Sequence, residues 1–216
     1  LDTAVANGPK TVRANVEADT RATNYLIAHL ADIRPELTIF VTTCDMLPPD
    51  ADEKSPILET SDDPYVMNRI RLYKALNLQY GRVLNVHLPE IASVSNRGFS
   101  KVLDIALDPP SGRGKLPLFA EEKHQLYFSQ RILLDVEKCV PLGIPAIIPA
   151  TPPLTTREIL QVLNPGLIKR LPEPTPQDPV GSDRKSIHSF QWLDPKSGYV
   201  VTKDDQIEML KFFFVR

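Results

Sequence analysis

The chain has 216 residues, enough for one domain or at most two small ones. Its 25 Lys and Arg against 27 Asp and Glu leave a net charge of -2, so no strong field draws nucleic-acid phosphates or anionic lipid, and neither nucleic acid nor a membrane surface is an expected partner. It carries 21 Pro but only 9 Gly; no three glycines stand at the GxGxxG spacing of a dinucleotide loop, and Gly112-Arg113-Gly114-Lys115 lacks the spacing and the Ser or Thr of a P-loop.

Cys44 and Cys139 are the only cysteines, too few for a disulfide scaffold and not at metal-ligand spacing, so the expected location is the cytoplasm or another reducing compartment. The most apolar stretches, Gly143 to Ala150 and Leu210 to Val215, fall far short of the roughly 20 residues of a spanning helix, and no membrane insertion is expected. Residues 1–20 show no apolar core of a signal peptide and several acids, against a transit peptide. The chain begins at Leu1 instead of Met, which leaves processing or a preceding segment open.

Ala22, Tyr25, Leu26, His29, Leu30 and Ile33 recur at spacings of three and four, which predicts an amphipathic helix over Asp19 to Ile33 ended by Pro35. The run Leu37 to Thr43 has the β-branched character of a strand buried on both faces of a parallel sheet. A proline-rich loop over Pro48 to Asp63 follows, then a helix introduced by Pro64 over Tyr65 to Gln79, with Gly81 as its expected C-cap. Arg82 to Leu88 reads as a second buried strand stopped by Pro89, which makes a right-handed βαβ unit. Further helices are expected at Gly98 to Leu107 and Gln130 to Val140, and a third strand at Ile144 to Ile148. Thr155 and Glu158 form a capping box for a helix to Leu163; Thr202 and Asp205 mark a last helix to Phe214, whose Phe212-Phe213-Phe214 run is core or an interface face. Between them, Leu171 to Ser189 reads as an extended surface loop.

The sharpest constellation is Thr42-Thr43 at the end of one strand with Tyr65 at the start of the next helix, because ligands of open α/β sheets bind beyond the carboxyl ends of the strands. Tyr65 and Arg69, four residues apart, share a helical face, so a guanidinium beside the phenol would lower its pKa toward working pH for proton exchange, with Thr43 holding the substrate hydroxyl. The alternative is a tyrosine packed under a loop with Arg69 at the surface. His29, His87, His124 and His188 show no metal spacing, and no metal is expected; His87, within a strand, reads as a core or rim residue. Cys44 lacks a recognisable base, no Ser lies in a GxSxG elbow, and the acids Asp50, Asp52, Glu53 and Glu59 read as solvated surface.

These residues resemble the NAD-dependent epimerase/dehydratase family, the extended short-chain dehydrogenase/reductase group. Phe40 to Leu47 is similar to its strand-end motif with two hydroxyl residues, and Asp63-Pro64-Tyr65 with Arg69 to its Pro-Tyr-x-x-x-Lys helix start, here with Arg for Lys. Val83 to Pro89 is similar to the following strand, His87 standing where the family has Arg; Gln125 to Phe128 with Asp135-Val136 resembles the segment carrying a substrate-domain helix, and Pro149 to Thr155 with Glu158 a late strand and its helix. The resemblance spans about Asn15 to Leu163, places Asn24 near a recurrent helix Asn, and finds no counterpart of the family's Gly-rich first half.

It implies an α/β fold with a Rossmann-like parallel sheet, the C-terminal two-thirds of that architecture, with a smaller substrate-side region. Residues 1–90 would form the rest of the core, and 91–216 the substrate side mixed with the last core elements. It implies catalytic positions at Thr43, Tyr65 and Arg69, and an NAD or NADP site touching Thr42, Tyr65, Arg69, Leu88, Pro89 and Ile91. The implied activity is on a sugar nucleotide or similar hydroxylated small molecule, with selectivity in the loops 91–98 and 109–118. A homodimer or a place in a larger assembly is the expected partnership. The alternative class is a catalytically silent structural or regulatory subunit, for which the Gly-poor front, Arg69 and the proline-rich tail speak.

Overall fold

The computed structural model describes residues 15–30, 32–33, 35–93, 100–189 and 196–215. The elements in chain order are α1 (Val16–Leu30), β1 (Thr38–Thr43), α2 (Pro64–Gln79), β2 (Val83–Leu88), β3 (Glu90–Ala92), α3 (Lys101–Leu107), β4 (Lys123–His124), β5 (Leu126–Phe128), α4 (Ile132–Cys139), β6 (Ala146–Ile147), β7 (Leu154–Thr155), α5 (Thr156–Leu163) and α6 (Lys203–Phe214). The architecture is mixed α/β, as the sequence predicts. A parallel sheet in the order β1-β2-β6 is joined by a parallel pair β3-β5 and an antiparallel pair β4-β7.

β1 and β2 run in register from Thr38 opposite Val83 to Thr43 opposite Leu88, with α2 as the crossover between them. β2 is central and buried from Leu84 onward, as its sequence predicts. β1 is not: Phe40 and Thr42 are buried, but Ile39 and Val41 are exposed on the other face. Apolar β-branched sequence does not distinguish a strand covered on both faces from one covered on one, because propensity reads the pleat and not its neighbours.

α1 also differs from its prediction. It ends at Leu30, and the buried positions are Asp19 and Thr23, with Leu26, Ile27 and Leu30 packed against Phe40, Leu72, Leu76 and Tyr80. Ala22 is exposed, and Tyr25 stacks on His29 in solvent. The packed face is turned toward Asp19 because α2 offers that carboxylate the Arg69 guanidinium. At the other end of α2 the C-cap is Tyr80 in extended conformation, not Gly81, and the Tyr80 hydroxyl donates to the Leu30 carbonyl.

α3 starts from Ser100, whose hydroxyl accepts from the Leu103 N–H; the expected start at Gly98 lies outside the described residues. Leu126 to Phe128, read with a helical segment, is the strand β5, and the helix carrying Asp135-Val136 follows it as α4, between 3-10 turns at Ser129–Arg131 and Val140–Leu142. Both capping boxes form, Thr155 with Glu158 and Thr202 with Asp205. The largest core cluster joins Phe128, Leu154, Leu160 and Leu210 from β5, β7, α5 and α6; Phe213 and Phe214 pack against it, whereas Phe212 stays exposed.

Candidate functional site

The carboxyl ends of β1 and β2 open into a cavity of about 410 Å³. Thr42, Thr43, Cys44 and Asp45 enter it from the end of β1, Tyr65 from the first turn of α2, and Leu88, Pro89, Glu90 and Ile91 from the end of β2 and the start of β3. The opposite wall is Glu122, Lys123 and His124 from β4 and its approach, with Gly181, Ser182 and Arg184 from the C-terminal loop. The cavity thus lies where a parallel sheet presents its ligand site, and it gathers every residue expected there except Arg69.

Local sequence explains the near wall. The Thr43 side chain caps the 3-10 turn Cys44–Met46 by accepting from the Asp45 N–H at 3.1 Å, which leaves its own O–H to donate. Thr42 is more inward: its hydroxyl donates to the Met46 sulfur at 3.1 Å. Asp63 caps α2 by accepting from the Tyr65 N–H at 2.9 Å, and Pro64 at the first position fixes the entry, so the side chain of Tyr65 leaves the helix start toward the cavity. The Tyr65 phenol makes no hydrogen bond with the described residues.

Arg69 lies 5.2 Å from the Tyr65 ring centroid, on the helical face the spacing predicts. Its charge is already committed. Nη2 is 2.7 Å from Asp19 Oδ1, with both side chains almost fully buried, and Asn68 donates to the same carboxylate at 2.6 Å. The expectation of a lowered phenol pKa is therefore reversed. Burial pushes the Tyr65 phenol up; Arg69 pulls it down, but less, and Asp45, Asp19 and Asp63 add to the rise. The Tyr65 phenol is protonated at neutral pH.

Cys44 is buried, donates to the His87 carbonyl at 3.0 Å, and burial raises its thiol to about 12, which removes it as a nucleophile. His87 is buried in β2 beside the Tyr73 ring, with Nδ1 unpartnered among the described residues; burial lowers it to about 4, against a hydrogen bond to the Thr43 backbone and with help from Arg184. Asn24 binds Arg71 at 2.7 Å on the α1–α2 surface, away from the cavity.

The far wall was illegible in the sequence. Arg184, buried to 8% exposure, donates from Nε to the Pro48 carbonyl at 3.3 Å. Gln125 holds the backbone of Arg184 from both sides, donating to its carbonyl at 2.9 Å and accepting from its N–H at 2.7 Å. Glu53, expected to be solvated, accepts from Ile148 N, Ser186 Oγ and Ile187 N and fastens this loop to the sheet. These partners lie some 60 to 130 residues apart in the chain, and no periodicity links them.

The residues fit one end of a dinucleotide. Leu88, Pro89 and Ile91 offer an apolar wall to a flat ring, and Thr43 and Tyr65 line the same space. Arg69 does not fit the role expected of it, since Asp19 occupies its Nη2 and the side chain is buried.

No protein-family profile matches the chain, and no curated protein sequence matches it. Solved structures do. The chain is similar to an NAD-dependent NDP-hexosamine 5,6-dehydratase of tunicamycin biosynthesis, at 13% identity and a TM-score of 0.64 over 100% of this chain and 76% of that one. It is similar to the UDP-glucose 4-epimerase of Thermotoga maritima solved with UDP-glucose, at 14% identity and a TM-score of 0.66 over 98% and 75%. It is also similar to the dTDP-glucose 4,6-dehydratase of Streptomyces venezuelae solved with NAD, at 14% identity and a TM-score of 0.64 over 98% and 71%. At these identities the likeness is one of fold: the chain has the Rossmann-like α/β architecture of these dehydratases and epimerases.

Proposed function

We propose that the chain belongs to an NAD(P)-dependent epimerase, dehydratase or reductase acting on a sugar nucleotide or a similar hydroxylated small molecule. The observation that carries this reading is the convergence of Thr43 from β1 and Tyr65 from α2 on one cavity at the carboxyl end of the sheet, in a fold shared with enzymes of that chemistry.

In this reading Leu88, Pro89 and Ile91 hold the nicotinamide end of the cofactor, which when bound supplies hydride acceptance and return. Thr43 donates its free hydroxyl hydrogen to the substrate oxygen and fixes it beside Tyr65. In the reducing half Tyr65, protonated at rest because burial and three nearby carboxylates raise it, gives its proton to the substrate carbonyl oxygen as the carbon gains hydride. In the oxidising half the phenol first loses its proton to solvent and, as phenolate, takes the proton of the substrate hydroxyl as the carbon loses hydride. Arg69 acts at one remove: its guanidinium beside the ring limits how far the phenol pKa rises, and Asp19 holds it there.

The test is titration calorimetry with NAD and NADP, followed by turnover of UDP-glucose and dTDP-glucose by the parent and by Tyr65→Phe. Dinucleotide binding is expected, with turnover lowered about 10²- to 10⁴-fold in the variant and an unchanged circular dichroism spectrum. Unchanged turnover in Tyr65→Phe would remove the tyrosine from the mechanism. No binding of either dinucleotide would shift the reading to a silent subunit.

A further inference from the structure

In the cavity wall and behind it, three side chains distant in sequence form a hydrogen-bonded row that the reaction outlined above does not use. Glu90 opens β3 directly after Pro89, His124 lies on β4, and Thr156 is the first residue of α5. His124 Nδ1 is 2.9 Å from Glu90 Oε2, and His124 Nε2 is 3.0 Å from Thr156 Oγ1. Thr156 is fully buried, the His124 side chain is 9% exposed and that of Glu90 24%, so the row runs outward from the core. Glu90 and His124 line the cavity. The base of the row is fixed as well: the Thr156 N–H donates to the Glu122 carbonyl at 2.9 Å, and β4 pairs with β7 immediately before α5.

The ring bridges the two: one nitrogen is hydrogen-bonded to the Glu90 carboxylate and the other to the Thr156 hydroxyl. Both ring nitrogens are then occupied, which leaves His124 no atom for a substrate and makes it a positioning residue. The remaining carboxylate oxygen, Oε1 of Glu90, accepts no hydrogen bond from the described residues. An ionised carboxylate held in one orientation is acceptor-only. It suits an O–H donor and repels a phosphate or a carboxylate.

We propose that Glu90 is a specificity-determining residue of the cavity, oriented by Thr156 through His124, and that it accepts a hydrogen bond from a sugar hydroxyl other than the one held by Thr43 and Tyr65. The proposal rests on the substrate reading above and sharpens it: the recognised group is the hydroxylated ring, not the nucleotide.

The test is titration calorimetry of the full chain, with and without saturating NAD, using UDP-glucose and UDP as probes. Glu90→Ala is expected to bind UDP-glucose at least about 10-fold more weakly, the loss of a hydrogen bond to a charged group, and to bind UDP unchanged. Glu90→Gln retains the shape and one acceptor oxygen and gives the same selective loss at smaller size, which keeps the test valid should the alanine variant fold poorly. His124→Phe, with the ring kept and the hydrogen bonds removed, is expected to weaken UDP-glucose and spare UDP, because a positioning role acts only through Glu90. Equal affinities of the parent and Glu90 variants for UDP-glucose would overturn the inference and leave the substrate reading standing. Parallel losses for UDP and UDP-glucose would overturn it in favour of a purely structural row. Failure of the parent to bind UDP-glucose would overturn the substrate reading and this inference with it.

Discussion

Tyr65, which lines the cavity, and His87, buried in β2, are displaced from their ordinary ranges by burial, in ways that bear on pH dependence. A Tyr65 phenol raised above its usual value of about 10 stays protonated across the neutral range. Its role as proton donor should therefore show no alkaline fall below about pH 10, which a pH profile of turnover would reveal. His87, lowered to about 4, is neutral in the folded protein where the unfolded chain, with an ordinary value near 6.5, takes up a proton. The unfolded state then binds more protons, so stability falls as pH drops from about 6.5 and levels off below about 4, at a loss on the order of 3 kcal/mol. Urea unfolding at intervals between those values should follow this slope in the parent and flatten in His87→Gln. The sequence placed His87 within a strand; it held no sign of how dry the strand is.

At the level of elements, α1 is held to α2 by a polar contact as well as an apolar one. Asp19 and Arg69 form an ion pair with side-chain exposures of 2% and 5%, and Asn68 completes the carboxylate's partners. Such a pair offers modest net stability while intact, but removing one member strands the other charge in a dry site. Asp19→Ala is therefore expected to lower unfolding free energy by about 3–5 kcal/mol, measured by denaturant titration. It should also move the Arg69 guanidinium, whose Nε has no hydrogen-bond partner among the described residues. The helix itself was legible from its period of 3.6, yet the face it buries was not. Ala22, Tyr25 and His29 fit the apolar stripe and remain exposed, because the Asp19 carboxylate with its matching guanidinium sets the face that packs on α2.

At the level of the whole molecule, the cavity exists because the C-terminal loop folds back across the sheet. The Leu171 to Ser189 segment has no α-helix and no named strand, as composition predicts, but it is not a loose surface loop. Gly181 bridges Lys123, Gln125 grips Arg184, and Glu53 grips Ser186 and Ile187. Gly181 has φ +80°, and a Cβ there would stand 2.1 Å from the Lys123 carbonyl oxygen. Neither strain is relieved by a side-chain shift, since the obstacle is backbone. Gly181→Ala is expected to cost about 2 kcal/mol or more, to lower the melting temperature and to weaken ligand binding together. Gly112→Ala, also at positive φ (+100°) but with open space around it, lies in the 109–118 loop expected to set selectivity, none of whose residues line this cavity, and should lower stability without altering binding there.

The sequence by itself determined the element order around β1, α2 and β2, the Thr155–Glu158 capping box, the helix start at Thr202, and the placement of Thr43 and Tyr65 at the mouth of the sheet. These follow from local rules: hydrophobic period, proline and cap positions, and the geometry of a parallel crossover. The tertiary structure decided what surrounds them. It committed Arg69 to Asp19, raised Tyr65 instead of lowering it, turned Thr42 toward Met46, and built a far wall from residues 122–124 and 181–184. Burial and long-range pairing set these features, and both depend on which distant segments meet, a quantity that no local pattern of residues encodes.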